Sequence, residues 1–140
     1  MEITYTNKMT AEEYNEMRGS VNWRLLTPGQ AERGLAHTAF VVAARDGGKI
    51  VGMGRMLFDY GYTAYLGDVI IRPEYQGKGI GAEIVTRLKD MVMEAAEQGD
   101  KIMFILGAAA GKEGFYEKLG FKVRPNEING SGMSMWKEKE

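Results

Sequence analysis

The chain has 140 residues, 44% hydrophobic and 26% charged, with a formal net charge of −1 and no cysteine. That balance suits one globular α/β-sized domain with a single core, and the near-neutral charge excludes a basic nucleic-acid footprint. Without cysteine there are no disulfides, thiolate metal sites or cysteine-bound acyl groups, and without a signal pattern or an apolar run of ~18 residues the reading is a soluble, cytoplasmic domain over 1–140, binding no metal, membrane or nucleic acid.

Glu2 to Thr6 alternates weakly and reads as a first strand. Thr10-Ala11-Glu12-Glu13 is a capping box opening a helix to about Arg18. After the loop SVNWRLL, which holds Trp23, Thr27-Pro28-Gly29-Gln30 opens a second helix with Thr as cap and Pro at the first helical position. From His37 the period changes to that of strands. TAFVVAAR, the turn Asp46-Gly47-Gly48 and KIVGMGRMLF form a hairpin. The loop DYGYT then leads into AYLGDVIIRP, a strand apolar enough to be central in a sheet and ended by Pro73.

Three glycines, Gly77, Gly79 and Gly81, follow within five residues, and then comes a helix to about Gln98, closed by Gly99. Ile80, Ile84, Leu88 and Val92 recur every fourth residue as one apolar stripe, with Glu83 and Arg87 paired outside it. KIMFIL reads as a buried strand, so strand, helix and strand make one right-handed crossover with parallel strands. A short helix over Lys112–Leu119 puts Phe115 and Leu119 on its core side and Gly120 at its left-handed cap. FKVRP and GMSMW read as further strands, the second pairing within the chain or across a homodimer. The order implies an α/β fold with a mixed, mostly antiparallel sheet.

Glycine is costly in regular structure, so its density before a helix needs a cause. Helix-start N–H groups lack internal partners and sit at the positive end of the helix dipole. Stripping side chains there lets an anion reach several donors together. A turn that only needed positive φ would require one glycine. Gly77-x-Gly79-x-x-Ala82 formally satisfies a dinucleotide fingerprint, but Arg72 to Gln76 intervene after the strand and FILG ends without the acidic ribose partner. No phosphate-binding G-x-x-x-x-G-K-[ST] loop exists.

Gln76-x-x-Gly79-x-Gly81 after an apolar strand resembles the pantetheine–pyrophosphate signature [QR]-x-x-G-x-[GA] of the GNAT superfamily of acyl-CoA-dependent N-acetyltransferases. DVIIRPEYQGKGIG agrees with that family's strand–turn–helix, and FYEKLGF resembles its second hallmark. The resemblance implies a GNAT-like sheet with a βαβ cofactor core, and direct acetyl transfer from acetyl-CoA to a primary amine of a small molecule or peptide. The alternative is a non-catalytic module that senses acyl-CoA.

In that resemblance the amides of Gly77, Lys78, Gly79, Ile80 and Gly81 cradle the pyrophosphate while Gln76 shapes the loop. Lys78 adds charge or points to solvent. Backbone groups of Val69 and Ile71 pair with pantetheine, and an N–H near Ile70 or Ile71 polarises the thioester carbonyl. Tyr116 matches the family's acid for the departing thiolate, or else is a boundary tyrosine with a structural hydrogen bond. Asp68 either takes the amine's proton or is a satisfied strand-edge carboxylate, with Glu74 and Asp59 as weaker candidates. The chain has Ala109 where many members carry asparagine, and Gly111 and Lys112 either meet the adenosine 3′-phosphate in its place or play no part. Trp23, Tyr60 and Tyr62, with Tyr14, form an aromatic set suited to an amine acceptor, or pack the lid.

Overall fold

The computed structural model describes residues 2–140, which divide into two compact units, residues 2–106 and 107–140. In the first unit, strands β1 (Ile3–Thr6), β2 (Phe40–Asp46), β3 (Lys49–Phe58), β4 (Thr63–Ile71) and β5 (Met103–Ile105) lie side by side in chain order. The first four are antiparallel, and β5 joins β4 in parallel from Thr63↔Met103 to Tyr65↔Ile105. Helix α3 (Ile80–Ala95) makes the crossover between those two strands. Helices α1 (Ala11–Ser20) and α2 (Pro28–Ala36) precede β2.

Both helix starts carry the caps read from the sequence. Thr10 Oγ1 accepts from Glu13 N while Glu13 Oε1 accepts from Thr10 N, each at 3.0 Å. Thr27 Oγ1 accepts from Gln30 N at 3.2 Å, with Pro28 opening α2. One face of the sheet is covered by α1 and α2, where Tyr14, Met17 and Ala31 cluster with Met53 and Ile70. The other is covered by α3 through the stripe Ile80, Ile84, Leu88 and Val92, all buried.

That helix lies close because β3 offers glycines beneath it. A Cβ on Gly54 would sit 2.7 Å from Ile84 Cγ2 and 2.9 Å from Leu88 Cδ1, and one on Gly52 would sit 2.9 Å from Ile71 Cδ1. Overpacking of this kind costs about 1–3 kcal/mol. We therefore expect Gly54→Ala to lower the unfolding free energy by ~1–3 kcal/mol in urea titrations with an unchanged m-value.

Three expectations change. Helix α3 ends at Ala95 instead of Gln98, since Ala96 turns extended and Glu97 N donates to the Asp100 carboxylate at 2.9 Å. Gly99, at φ 92°, belongs to the turn that follows. In the second unit α4 (Glu113–Lys118) forms and Gly120 takes φ 99°, but residues 121–125 and 132–136 form no strand among the described residues. Apolar alternation records what a segment would bury once paired, whereas a strand exists only through a hydrogen-bonded neighbour. Met133, Met135 and Trp136 remain exposed.

Candidate active site

Strand β4 carries two features that set the site. Its ladder with β5 stops at Tyr65↔Ile105, so from Leu66 onward the edge turned away from β3 has no strand partner among the described residues. Its ladder with β3 shifts register between Met53↔Ile70 and Arg55↔Gly67, where Asp68 and Val69 oppose the single residue Gly54. This is a bulge, and Asp68 at its head adopts φ 51°, a left-handed conformation that Asp tolerates better than most residues.

The direction of the backbone groups follows. Arg72 N donates to Val51 O on β3 at 2.9 Å, and N–H groups alternate sides along a strand. Ile70 N–H therefore faces β3, while that of Ile71 faces the open edge. Of the donors expected at Val69 and Ile71, that of Ile71 lies on the side without a strand partner, while Val69 sits within the bulge, where the alternation is broken. The inward turn of Ile70 narrows the expected carbonyl-polarising donor to Ile71.

Beyond β4 the chain makes one 3-10 turn, Pro73–Tyr75, and enters the glycine loop. Gln76 Nε2 reaches back to Ile71 O at 3.0 Å, bracing the loop against the end of the strand. Gly77 and Gly79 adopt φ 77° and 84°, and Gly79 is the N-cap of α3 without a side-chain cap. A Cβ at either glycine would meet no atom within 4 Å, so conformation rather than crowding demands glycine there. Gly81 already lies within the helix. The N–H groups of Gly77, Lys78, Gly79, Ile80 and Gly81 find no acceptor among the described residues. A row of partnerless donors at the positive end of a sixteen-residue helix suits a diphosphate. Lys78 is exposed.

Asp68 is the hub of a polar cluster. Its Oδ2 accepts a short hydrogen bond from the Tyr14 hydroxyl and another from Arg55 Nε at 2.9 Å, while Arg18 Nη1 lies 3.5 Å from Oδ1. Arg55 is fixed in turn by Thr38 Oγ1 at 2.7 Å and Gly34 O at 3.3 Å. Both guanidinium groups approach the Tyr14 ring, at 5.3 Å and 5.9 Å from its centroid. Burial, reinforced by the bond to Asp68 and its charge, pushes the Tyr14 hydroxyl up to about 12. Tyr14 is only 2% exposed, so it is a core anchor and presents no aromatic face to an acceptor. The carboxylate of Asp68 has the geometry of the satisfied alternative rather than of a free base. Glu74 is exposed beside Lys49, and Asp59 accepts from Gly61 N at 2.8 Å to shape the β3–β4 turn.

The aromatic residues separate. Trp23 is half-buried under Arg18, whose guanidinium lies 5.6 Å from its ring. Tyr60 and Tyr62 project from the β3–β4 loop at 62% and 61% exposure, and Tyr60 leans on Phe58. In the second unit Tyr116 is half-buried between Phe115 and Phe121, with ring centroids at 4.9 Å and 6.0 Å. Burial raises its hydroxyl above the usual tyrosine value, and that hydroxyl has no hydrogen-bond partner among the described residues. Gly111 takes φ 85° and Lys112 stands exposed at the start of α4.

Sequence reasoning missed Arg18 and Arg55 as partners of Asp68. A signal existed: Arg55 and Asp68 are opposite charges within two adjoining apolar strands, and isolated charges there call for partners.

Residues 10–137 match the model of the acetyltransferase (GNAT) domain. The chain is 37% identical over 82 residues to GCN5-related N-acetyltransferase 2, chloroplastic, of Arabidopsis thaliana, a match spanning 59% of this chain but 30% of that protein. It is 25% identical over 132 residues to the uncharacterized N-acetyltransferase ycf52 of Porphyra purpurea, covering 91% of this chain and 74% of that one. Among solved structures, a probable acetyltransferase from meticillin-resistant Staphylococcus aureus superposes with a TM-score of 0.85 at 26% identity, covering 97% of this chain and 100% of the other. With the family model matching nearly the whole length and the same sheet and helices recurring in that structure, this chain belongs to the GNAT family of acetyltransferases.

Proposed function

We propose that the protein transfers an acetyl group directly from acetyl-CoA to a primary amine of a small molecule or peptide. The observation that carries this reading is the row of unpartnered N–H groups from Gly77 to Gly81 at the head of α3, next to the open edge of β4. Those donors and that edge fit the two unlike halves of the coenzyme, the diphosphate and the amide-bearing pantetheine arm. When bound, acetyl-CoA supplies an activated thioester.

The chain's own residues divide the remaining work. Gly77, Lys78, Gly79, Ile80 and Gly81 hold the diphosphate oxygens through main-chain N–H groups, with Gln76 bracing the loop. Backbone groups of Val69 and the Ile71 carbonyl meet the pantetheine arm as an added strand would, and the Ile71 N–H stabilises charge on the acyl oxygen, a contribution of about 3–4 kcal/mol where such donors have been removed elsewhere. Tyr116 keeps a proton on its hydroxyl for the departing sulfur. Asp68, already engaged by Tyr14, Arg55 and Arg18, keeps the bulge in place, and the amine loses its proton to solvent. Trp23, Tyr60 and Tyr62 offer aromatic surface to the acceptor.

Ligand that binds only the folded state raises its stability, by ~2.7 kcal/mol at a hundredfold excess over Kd. CoA should therefore raise Tm measurably, and a panel of primary amines with acetyl-CoA should include one that releases free thiol in stoichiometric step with acetylated amine. No thermal shift at millimolar CoA would end this reading.

A further inference from the structure

The segment that delivers the chain from β4 into the glycine loop is sewn onto the opposite hairpin. Arg72 Nε donates to Ile50 O at 2.7 Å, beside the Arg72 N–Val51 O bond. Three residues on, the Tyr75 hydroxyl donates to Asp46 Oδ2 at 2.6 Å. Asp46 ends β2 and pairs with Lys49 across the two-residue turn Gly47-Gly48, so its backbone is fixed by the hairpin. Lys49 places its ammonium 5.9 Å from the Tyr75 ring centroid. Between Gln76 and Gly79, whose carbonyl accepts from Glu83 N at 3.1 Å, the loop has no hydrogen bond among the described residues, and Ile80 then buries against β3.

We propose that Tyr75, held by Asp46, is a positioning residue for the diphosphate loop. Tyr75 acts by anchorage. A glycine-rich bridge has many conformations, and each must be given up when its N–H groups converge on one anion. Fixing the bridge at Tyr75 and at Ile80 makes that loss before the ligand arrives. A phenol donating to an ionised carboxylate is among the stronger hydrogen bonds available for this. Tyr75 adjoins Gln76 and acts through the loop, so its effect is confined to the diphosphate half of the ligand.

The inference rests on the transferase reading, and its test separates the two. Kd is measured for CoA by calorimetry, and for pantetheine, which lacks the diphosphate, by NMR titration. Tyr75→Phe and Asp46→Ala should each raise the CoA Kd about tenfold, the scale of ordering a few side chains. The double variant should be no worse than either single one, as for two ends of one bond. Pantetheine should bind all of them as it binds the wild type. A CoA Kd within twofold of wild type, additive losses, or an equal loss for pantetheine overturns the proposal while leaving the transferase reading intact. Failure of the wild type to bind CoA overturns both.

Discussion

Replacing Tyr116 by Phe is expected to lower kcat by about 10²–10³ while leaving the KM for acetyl-CoA and the Tm within error of wild type. The expectation rests on what the hydroxyl does not do in the fold. It donates no hydrogen bond among the described residues, so removing it breaks none. The ring keeps its edge contacts with Phe115 and Phe121, which stay at the same packing volume. A half-buried hydroxyl without a partner carries an unrecovered desolvation cost, so Phe is neutral or slightly stabilising. Burial raises the hydroxyl above its ordinary value near 10, so the proton is present throughout the neutral range. The acid form is lost only as pH rises through that raised value, so the wild type should show no alkaline limb from Tyr116 below about pH 9. Steady-state kinetics on both proteins, with circular dichroism melts, check this. A Tyr116→Phe enzyme of wild-type kcat would remove the residue from the chemistry.

The second large effect concerns stability. Asp68→Ala leaves two mostly buried guanidinium groups and the Tyr14 hydroxyl facing an empty position, and it forces alanine into φ 51°. Breaking a buried charge pair by deleting one partner is costly because the survivor stays desolvated. The side chains of Arg18, Arg55 and Asp68 are 11%, 17% and 17% exposed, so solvent softens the loss to about 2–4 kcal/mol, or roughly 10 °C in Tm. Asp68→Asn keeps the shape and tolerates positive φ, so it should lose less. The pair of variants also decides the carboxylate's role. An anchor predicts that folded Asp68→Asn keeps kcat within about tenfold, whereas a base predicts a drop of 10² or more with Tm unchanged. The second result would return Asp68 to proton transfer.

Signals confined to a few consecutive residues are legible in the amino-acid order. The capping box of α1, the Thr27 cap of α2, the four-residue stripe of α3, the Asp46-Gly47-Gly48 turn and the loop from Gln76 to Gly81 each state their conformation through nearest neighbours, where propensity and caps act. Even the placement of Val69 and Ile71 at an open edge follows from the family-like strand. The register that turns the Ile71 N–H outward and Ile70's inward does not. It depends on where β3 and β4 slip by one residue, and a bulge leaves only a faint mark in alternation.

What the chain's residues determined by themselves is the parts list of this GNAT-family chain: which segments coil, which extend, and where glycines lay the backbone bare. Tertiary structure alone decided the partnerships. Asp68 meets Tyr14 across 54 residues and Arg55 across 13, and Tyr75 meets Asp46 across 29. Such bonds depend on the packing of one element over another, which no local pattern encodes. The same reason accounts for residues 121–125 and 132–136, whose apolar pattern asks for a sheet neighbour that the pattern cannot supply.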